Sequence, residues 1–154
     1  MLCASAALVA VSGWAYLAFV VTPRDVATGS TQQQSAVDAA THAAVAILSY
    51  GSDTVDSDLE HANDLLTGAF AGYYGTFTRD VVIPAAKEKR IDTSATVVGK
   101  AITEFTEDRA DVMVFLNQST TTADSTEPIT TSTTVRMEVE RHGNAWLVSK
   151  FDPA

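Results

Sequence analysis

The first 22 residues of the chain contain no charged side chain, and this block constrains the fold more than any other feature. Leu2 to Val21 is an apolar run of twenty residues. As a helix, a run of that length rises about 30 Å, which matches the hydrocarbon core of a bilayer. The run ends at a polar residue, a proline, which disturbs helix interiors, and a charged residue, which are Thr22, Pro23 and Arg24. We therefore expect a transmembrane helix over residues 1–23, and we exclude a multi-span transporter because no second apolar run approaches the required length.

A secretory signal peptide is the rival interpretation of the same block. Such a peptide has a shorter apolar region, a basic stretch before it and a small-x-small cleavage site after it. Here no basic residue precedes the run, and Phe19 to Thr22 offers no cleavage pattern of that kind. The membrane anchor is therefore favoured over the cleaved peptide.

Five residues of the predicted span are candidates for binding a partner inside the membrane. Ala6, Ala10 and Gly13 place small side chains near one helix face, and small residues permit close packing of transmembrane helices. Trp14 and Tyr16 are equally compatible with contacts to a partner and with anchoring at the membrane interface.

The charges after the span indicate on which side of the membrane the rest of the chain lies. Arg24 is the only Lys or Arg before Arg79, whereas seven acidic residues lie between Asp25 and Thr78. Because cytoplasmic flanks are enriched in Lys and Arg, a flank so poor in these residues predicts a domain outside the plasma membrane.

Total charge and cysteine content exclude several classes of function. The chain has 19 Asp and Glu residues against 10 Lys and Arg residues, a net charge of −9. This balance argues against nucleic-acid binding and against a polybasic domain that docks on anionic lipid. Cys3 is the only cysteine, so an intrachain disulfide and a four-cysteine zinc site are excluded. Lipidation of Cys3 is disfavoured, because the apolar run follows the cysteine instead of preceding it.

Three helices are predicted in the first half of the remaining chain. Apolar residues at spacings of three and four predict helices over about 32–50 and 54–66, after a flexible linker over 24–31. A third helix is expected from about 69, and Pro84 should end or kink it before one last turn. Its predicted inner face consists of Phe70, Tyr73, Tyr74, Phe77, Val81 and Val82.

The second half of the chain has the pattern of four strands. The β-rich segments are about 92–105, 110–122, 129–141 and 145–152. Short connections between neighbouring strands predict an antiparallel meander. Helices packed on one face of a curled antiparallel sheet make an α+β cone, and we expect this cone to comprise residues 32–154.

Motifs that carry chemistry are scarce. Asp56, Asp58 and Glu60 begin like a calcium loop, but His61 and Thr67 stand where that loop needs glycine and glutamate. Asp38 and His42 are four residues apart on one helix face, and no third metal ligand is placed beside them. The acid/base candidates for an enzyme are Glu104, Asp111, Tyr50 and Tyr74. We predict no catalytic residue, no metal and no cofactor.

The aromatic residues admit two interpretations. Most are expected in the core, since aromatic side chains dominate small cores. The functional alternative is an apolar pocket inside the cone for a hydrophobic ligand. The residues concerned are Tyr50, Phe70, Tyr73, Tyr74, Phe77, Phe105, Phe115 and Trp146.

Several local patterns follow the apolar block in a fixed order. They are Ile47-Leu48-Ser49-Tyr50, then Asp56-Ser57-Asp58-Leu59, Leu65-Leu66-Thr67-Gly68-Ala69-Phe70, Val81-Val82-Ile83-Pro84-Ala85-Ala86-Lys87, Val114-Phe115-Leu116-Asn117-Gln118-Ser119-Thr120 and Trp146-Leu147-Val148-Ser149-Lys150-Phe151-Asp152. Together with the span, this ordered set resembles the Mce-associated membrane proteins of mycobacteria and related actinobacteria. The basic tail that usually precedes the span in that family has no counterpart here.

The resemblance implies both a fold and a role. The fold is a cone of the nuclear-transport-factor-two-like type outside the plasma membrane. The role is that of a non-catalytic accessory subunit beside Mce (mammalian cell entry) lipid importers, with the permease, the Mce proteins and membrane lipid as partners. Two alternatives stay open, which are a lipid-binding domain and an enzyme of the isomerase or dehydratase kind that shares the cone fold.

Overall fold

The structure is a computed structural model, and it describes the backbone of residues 22–154. Side chains are described from Gly29 onward, with Thr126 excepted. Residues 1–21 of the predicted span lie outside the described part of the chain, together with its five candidate partner contacts (Ala6, Ala10, Gly13, Trp14 and Tyr16), and the span stays a prediction. Within the described part of the chain, no helix combines the length and the hydropathy that a membrane span needs.

Helix α1 covers Thr22–Leu48, so the ten residues before the predicted start of this helix are helical as well. Residues 24–31, which we expected to form a flexible linker, are therefore helical. The prediction was wrong here because a periodic apolar pattern marks only the part of a helix that packs against a core. Residues from Ser35 to Ala154 form one compact unit.

Two further helices and a π-helical turn follow. Helix α2 is Val55–Asn63 and helix α3 is Gly68–Phe77. The π-helical turn Thr78–Val82 leads into helix α4, Ile83–Lys89, which carries Pro84 in its first turn. Proline has no N–H to donate to the preceding turn, and the change from α to π register occurs directly before it. Pro84 thus interrupts the α-helical register, as the sequence predicted.

The four predicted strands form one antiparallel sheet in the order β1-β2-β3-β4. Their bounds are Asp92–Phe105, Arg109–Thr122, Ser125–His142 and Ala145–Pro153. Strand β3 begins four residues earlier than predicted and includes Pro128. Pro128 has no partner in the β2–β3 register, which is irregular at this point, and β4 pairs with β3 only from Val135 onward, so the sheet tolerates a proline here. Register shifts in all three strand pairs help the sheet to curl.

The core lies between the inner face of the sheet and the helices. Val112 pairs with Met137 and Val114 with Val135, and all four side chains are at most 1% exposed. The helices add small and medium-sized apolar side chains to the same cluster, namely Ala36, Ala40, Ala43, Ala44, Ile47, Val55, Leu59 and Ala62. The predicted α+β architecture, with helices packed on a four-stranded antiparallel sheet, is confirmed.

The inner face predicted for the third helix was wrong for three residues. Tyr74 is buried, but Tyr73 is 64% exposed, Val81 51% and Phe77 41%. The sequence of α3, GAFAGYYGTF, is apolar on every side, so periodicity cannot select one face. The π-helical turn after Phe77 then rotates the following side chains relative to the positions that a continuous α-helix would give them.

Candidate functional site

A cavity of about 350 Å³ lies between the helices and one end of the sheet. Helices α1, α2 and α3, the π-helical turn, β2 and β4 all contribute to its wall. The lining residues are Ile47, Leu48, Tyr50, Leu59, Phe70, Tyr73, Tyr74, Phe77, Thr78, Val82, Gln118, Phe151 and Pro153. No charged side chain is among them, and apolar side chains predominate. The sequence raised an apolar pocket as an alternative, and the structure places five of the eight suspected aromatics, namely Tyr50, Phe70, Tyr73, Tyr74 and Phe77, in its wall.

Aromatic contacts set the shape of this cavity. The ring of Phe70 on α3 stacks on Phe151 of β4, with centroids 6.3 Å apart and planes almost parallel. Phe70 also meets Tyr74 at 6.0 Å in a tilted arrangement. At the outer side of α3, the exposed rings of Tyr73 and Phe77 stack on each other at 5.9 Å. These two residues form an aromatic rim, since they line the cavity and also face solvent.

Tyr74 is one of the buried residues with a polar side-chain group in this wall, together with Thr78. It is only 7% exposed, and its hydroxyl has no hydrogen-bond partner among the described residues. Burial raises the pKa of Tyr74 well above its ordinary value, and the neighbouring Tyr50 raises it further. Burial also raises the pKa of Tyr50. Both side chains are therefore neutral phenols at physiological pH, able to donate and accept hydrogen bonds.

A second and more open cavity of about 560 Å³ adjoins the first at Tyr50. Most of its lining residues have polar side chains, and they include Asp58 and Asp92. The Asp58 carboxylate accepts hydrogen bonds from the Gly51 amide at 3.0 Å and the Thr54 hydroxyl at 2.6 Å. The Asp92 carboxylate accepts one from the Ser52 amide at 2.6 Å. Both carboxylates thus hold the connection between α1 and α2 in place, which is a structural role.

The four acid/base candidates do not form one site. Tyr50 and Tyr74 line the cavity on the inner side of the sheet. Asp111 lies between Ala110 and Val112, which are buried on that inner side, so its side chain points to the outer face. Glu104 is the strand partner of Asp111 and shares this outer face. The sheet therefore separates the two carboxylates from the two tyrosines.

The outer face carries an ion-pair network centred on Glu138. This glutamate is the β3 partner of Asp111, and its side chain is 15% exposed. Lys150 and Ser149 donate hydrogen bonds to its carboxylate at 3.1 and 3.0 Å, and Arg109 lies 3.8 Å away. Partial burial by itself raises the pKa of Glu138, but these hydrogen bonds and positive charges outweigh burial and lower it.

This lowered pKa predicts an acid-sensitive contribution to stability. The contribution is present above the ordinary glutamate pKa and is lost as pH falls through the lower pKa of the folded state. At neutral pH, Glu138→Gln is expected to lower the free energy of unfolding by about 1 kcal/mol, and the difference from wild type should vanish in acid. Urea unfolding across the pH range measures this. The exposed Glu127→Gln on the same strand is the control, and an equal, pH-independent effect of both variants would contradict the prediction.

Asp38 of the suspected metal pair Asp38 and His42 is engaged in an ion pair. Asp38 accepts a hydrogen bond from Lys100 at 3.0 Å, which joins α1 to β1. Among the residues that the structure describes, no three His, Cys, Asp or Glu side chains come together as a metal site would need. Asp56, from the failed calcium pattern, forms an ion pair with Lys87 of α4.

Comparison with known proteins shows the family. No family model matches the chain. A Mycobacterium tuberculosis protein named Outer membrane protein Rv1973 is 42% identical over 130 residues, which cover 84% of this chain and 79% of that protein. The chain belongs to the family of Outer membrane protein Rv1973. A second member from the same species, named Uncharacterized protein Rv1362c, is 41% identical over 92% of the chain, and the chain spans only 64% of its length.

Solved structures similar to this family member show the fold. A periplasmic fragment of TraM matches with a TM-score of 0.65 and 9% identity, over 79% of this chain and 96% of the fragment. An IcmL-like type IV secretion system protein from Legionella pneumophila matches at 0.63 and 6%, over 77% and 88%. VirB8 from Agrobacterium tumefaciens matches at 0.60 and 11%, over 76% and 88%. The domain is thus an α+β cone of the nuclear-transport-factor-two-like type, as the resemblance implied.

Proposed function

We propose that this family member is a single-pass, membrane-anchored accessory subunit of an Mce-type lipid importer. In this proposal the chain is not an enzyme. It stabilises or assists the transport complex from the outer side of the plasma membrane, and the imported lipid is a fatty acid or a sterol. The partners are the permease, the Mce proteins or both, and membrane lipid surrounds the anchor.

Family membership is the observation that carries the proposal. The relative that shares 42% identity over most of both chains is named an outer membrane protein, which supports a place in the cell envelope. The charge-free block of residues 1–22 supports an anchor there. The cone fold recurs in a periplasmic fragment of TraM and in an IcmL-like secretion protein, which supports an envelope setting by analogy of fold. The Mce assignment itself rests on the ordered sequence patterns.

The positions of the acid/base candidates support a non-catalytic role. General acid/base catalysis needs two titratable groups that reach the same substrate. Here the sheet separates Glu104 and Asp111 from Tyr50 and Tyr74. Asp111 is also the strand partner of Glu138, whose carboxylate is paired with Lys150 and Arg109 on the outer face.

The partner surface in this proposal is the small-residue face of the span. At about 3.6 residues per turn, Ala6, Ala10 and Gly13 fall on one side of a helix, and Ala15 falls on the opposite side. Small residues let helix backbones approach closely, and a larger side chain on that face prevents this approach. Ala10→Leu and Ala15→Leu are therefore a matched pair, since both add the same atoms to opposite faces.

Co-purification from membranes tests this proposal. The tagged full chain is expressed in a mycobacterial host, extracted in mild detergent and captured, and the bound proteins are identified by mass spectrometry. We expect Mce permease or Mce proteins to co-purify with the wild type and with Ala15→Leu, and their recovery to fall strongly with Ala10→Leu. If no Mce component co-purifies with the wild type, the proposal fails.

A further inference from the structure

Strand β3 has no partner strand on one of its sides from Ser125 to Thr133. Strand β2 pairs with the other side, and β4 begins to pair with this side only at Val135. The Ala154 amide donates to the Thr134 carbonyl at 3.0 Å and so covers one residue more. Among the described residues, no isolated bridge reaches the remaining stretch. We call this stretch, residues 125–133, the free edge.

We propose that the free edge binds the free edge of a second copy of this chain, as an antiparallel strand pair with two-fold symmetry. The symmetry axis passes beside Ile129, which is the middle residue of the free edge. The β2–β3 hairpins of the two copies then form one continuous sheet. This pairing needs no Mce component, so its test succeeds or fails independently of the proposed accessory role.

The first argument is the direction of the backbone groups. Odd-numbered residues of β3 direct these groups toward β2, as the Arg141 amide does when it donates to the Asp108 carbonyl at 2.8 Å. Even-numbered residues direct them to the opposite side, as the Thr134 carbonyl does, and the β2–β3 register is regular between these points and residue 129. Thr130 and Ser132 therefore present N–H and C=O groups at the free edge. Complementary groups at this spacing belong to an extended chain, so the chemistry of the edge selects a strand as its partner.

The second argument concerns charge, and it favours a second copy over a foreign peptide. Residues 129–134 read ITTSTT, in which all residues except Ser132 are β-branched and none is charged. Because the chain has a net charge of −9, two copies repel each other, and a neutral stretch is where they can approach. A foreign strand gains specificity from pockets for its side chains, and neither of the two cavities is lined by a free-edge residue.

The third argument is the position of Ile129. At 65% exposure, it is the most exposed large apolar side chain among the described residues. Pairing centred on this residue places the two isoleucines against each other and removes apolar surface of both from water. Pro128 then lies opposite Thr130 of the second copy, and Glu127 lies opposite Thr131 of the second copy. The two glutamates do not meet, and the proline leaves no N–H without a partner.

The size of this contact defines where it forms. A single strand pair is smaller than a stable protein interface, which buries about 1,200–2,000 Å². The pair is therefore weak in dilute solution and forms in the membrane, where the predicted anchor concentrates the copies. Because both copies use the same edge, the assembly closes at two copies.

Disulfide crosslinking of the full chain in membranes tests the proposal. Cys3→Ser removes the only cysteine, and Ile129→Cys or Thr131→Cys then introduces one at an exposed position of β3. In the proposed pair, the two Cα atoms of residue 129 are about 4.5 Å apart, within disulfide range, whereas those of residue 131 are about 14 Å apart. We expect mild oxidation to yield at least about fivefold more linked dimer with Ile129→Cys than with Thr131→Cys. Equal yields, or no linked dimer with Ile129→Cys, overturn the proposal.

Opposite charges at residue 129 separate specific pairing from random collision. Ile129→Lys and Ile129→Glu change an exposed side chain, so each copy should fold as wild type does. Either variant alone places like charges against each other, whereas co-expression of the two brings opposite charges together. We expect a carbodiimide to link the new lysine to the new glutamate in membranes that contain both variants, as mass spectrometry can show. Thr131→Lys with Thr131→Glu is the matched control and should give no such link. Absence of the link at residue 129, or an equal link at residue 131, overturns the proposal.

Discussion

Leu116→Ala is expected to lower the free energy of unfolding by about 2–5 kcal/mol, the usual range for removing a buried leucine side chain. Leu116 is 1% exposed and lies on β2, the strand flanked by β1 and β3. The side chain is one of the largest that are completely buried, and the neighbouring strands restrict collapse around the space that it leaves. A domain of this size has a total stability of about 5–15 kcal/mol, so the loss is a large fraction of it.

Urea unfolding of the full chain in a fixed lipid–detergent mixture measures this loss. The control is Ile129→Ala on β3, because Ile129 is 65% exposed. We expect the control to change the free energy of unfolding by less than about 1 kcal/mol. Similar losses in the two variants would mean that the inner face of β2 does not form the centre of the core.

Ala40→Leu is expected to destabilise the domain by about 1–3 kcal/mol through overpacking. Ala40 is 0% exposed on α1, and the other alanines on its buried face, Ala36, Ala43 and Ala44, are at most 1% exposed. A leucine at this position adds three carbon atoms where neighbouring atoms already fill the space, so either α1 or the sheet has to shift. Leucine is as good a helix former as most residues, which excludes helix propensity as the cause.

His42→Leu is the matched control for this variant, since His42 is exposed on the same helix. We expect His42→Leu to leave the free energy of unfolding within about 0.5 kcal/mol of wild type. Thermal unfolding followed by circular dichroism compares the two leucine variants directly. If Ala40→Leu is as stable as His42→Leu, then α1 does not pack its alanine face into the core.

The sheet was the part of the fold that the sequence predicted best. Val135, Met137 and Val139 alternate with Arg136, Glu138 and Glu140, and the structure buries the first three and turns the others outward. A period of two is a local property of a strand, so it can be recognised without knowledge of the partner strands. The turn between β3 and β4 contains Gly143, whose φ of 66° is a conformation that glycine adopts without strain.

The sequence could not predict which face of α3 packs against the core, because apolar residues occur on every face of this helix. Tyr73 and Tyr74 are adjacent and of the same type, yet one is 64% exposed and the other 7%. Phe70 lies one turn before Tyr74 on α3, contacts Tyr74 and stacks on Phe151 of β4, so the face of α3 that carries Phe70 and Tyr74 turns inward. That contact joins residues far apart in the sequence, and no local pattern encodes it.

The candidate site was predicted in composition but not in arrangement. Tyr50 and Tyr74 were both suspected, and the structure brings them into one cavity. Asp111 is separated from these tyrosines because its face of β2 turns away from the helices. The sequence could not predict this, because the same face also carries the apolar residues Met113 and Phe115. The hydroxyl of Tyr74 has no hydrogen-bond partner among the described residues because of the tertiary packing around it. This could not be predicted from the residue type alone.

The proposed accessory role is tested most directly by the lifetime of the importer. The half-life of the Mce permease in membranes is measured by pulse-chase in a strain that lacks this chain, and again with the wild-type chain restored. Because binding to a partner stabilises a subunit by mass action, we expect a half-life several-fold shorter without the chain. Wild type and Ala15→Leu should restore it, and Ala10→Leu should not. An unchanged half-life in the strain that lacks the chain would contradict the proposed role.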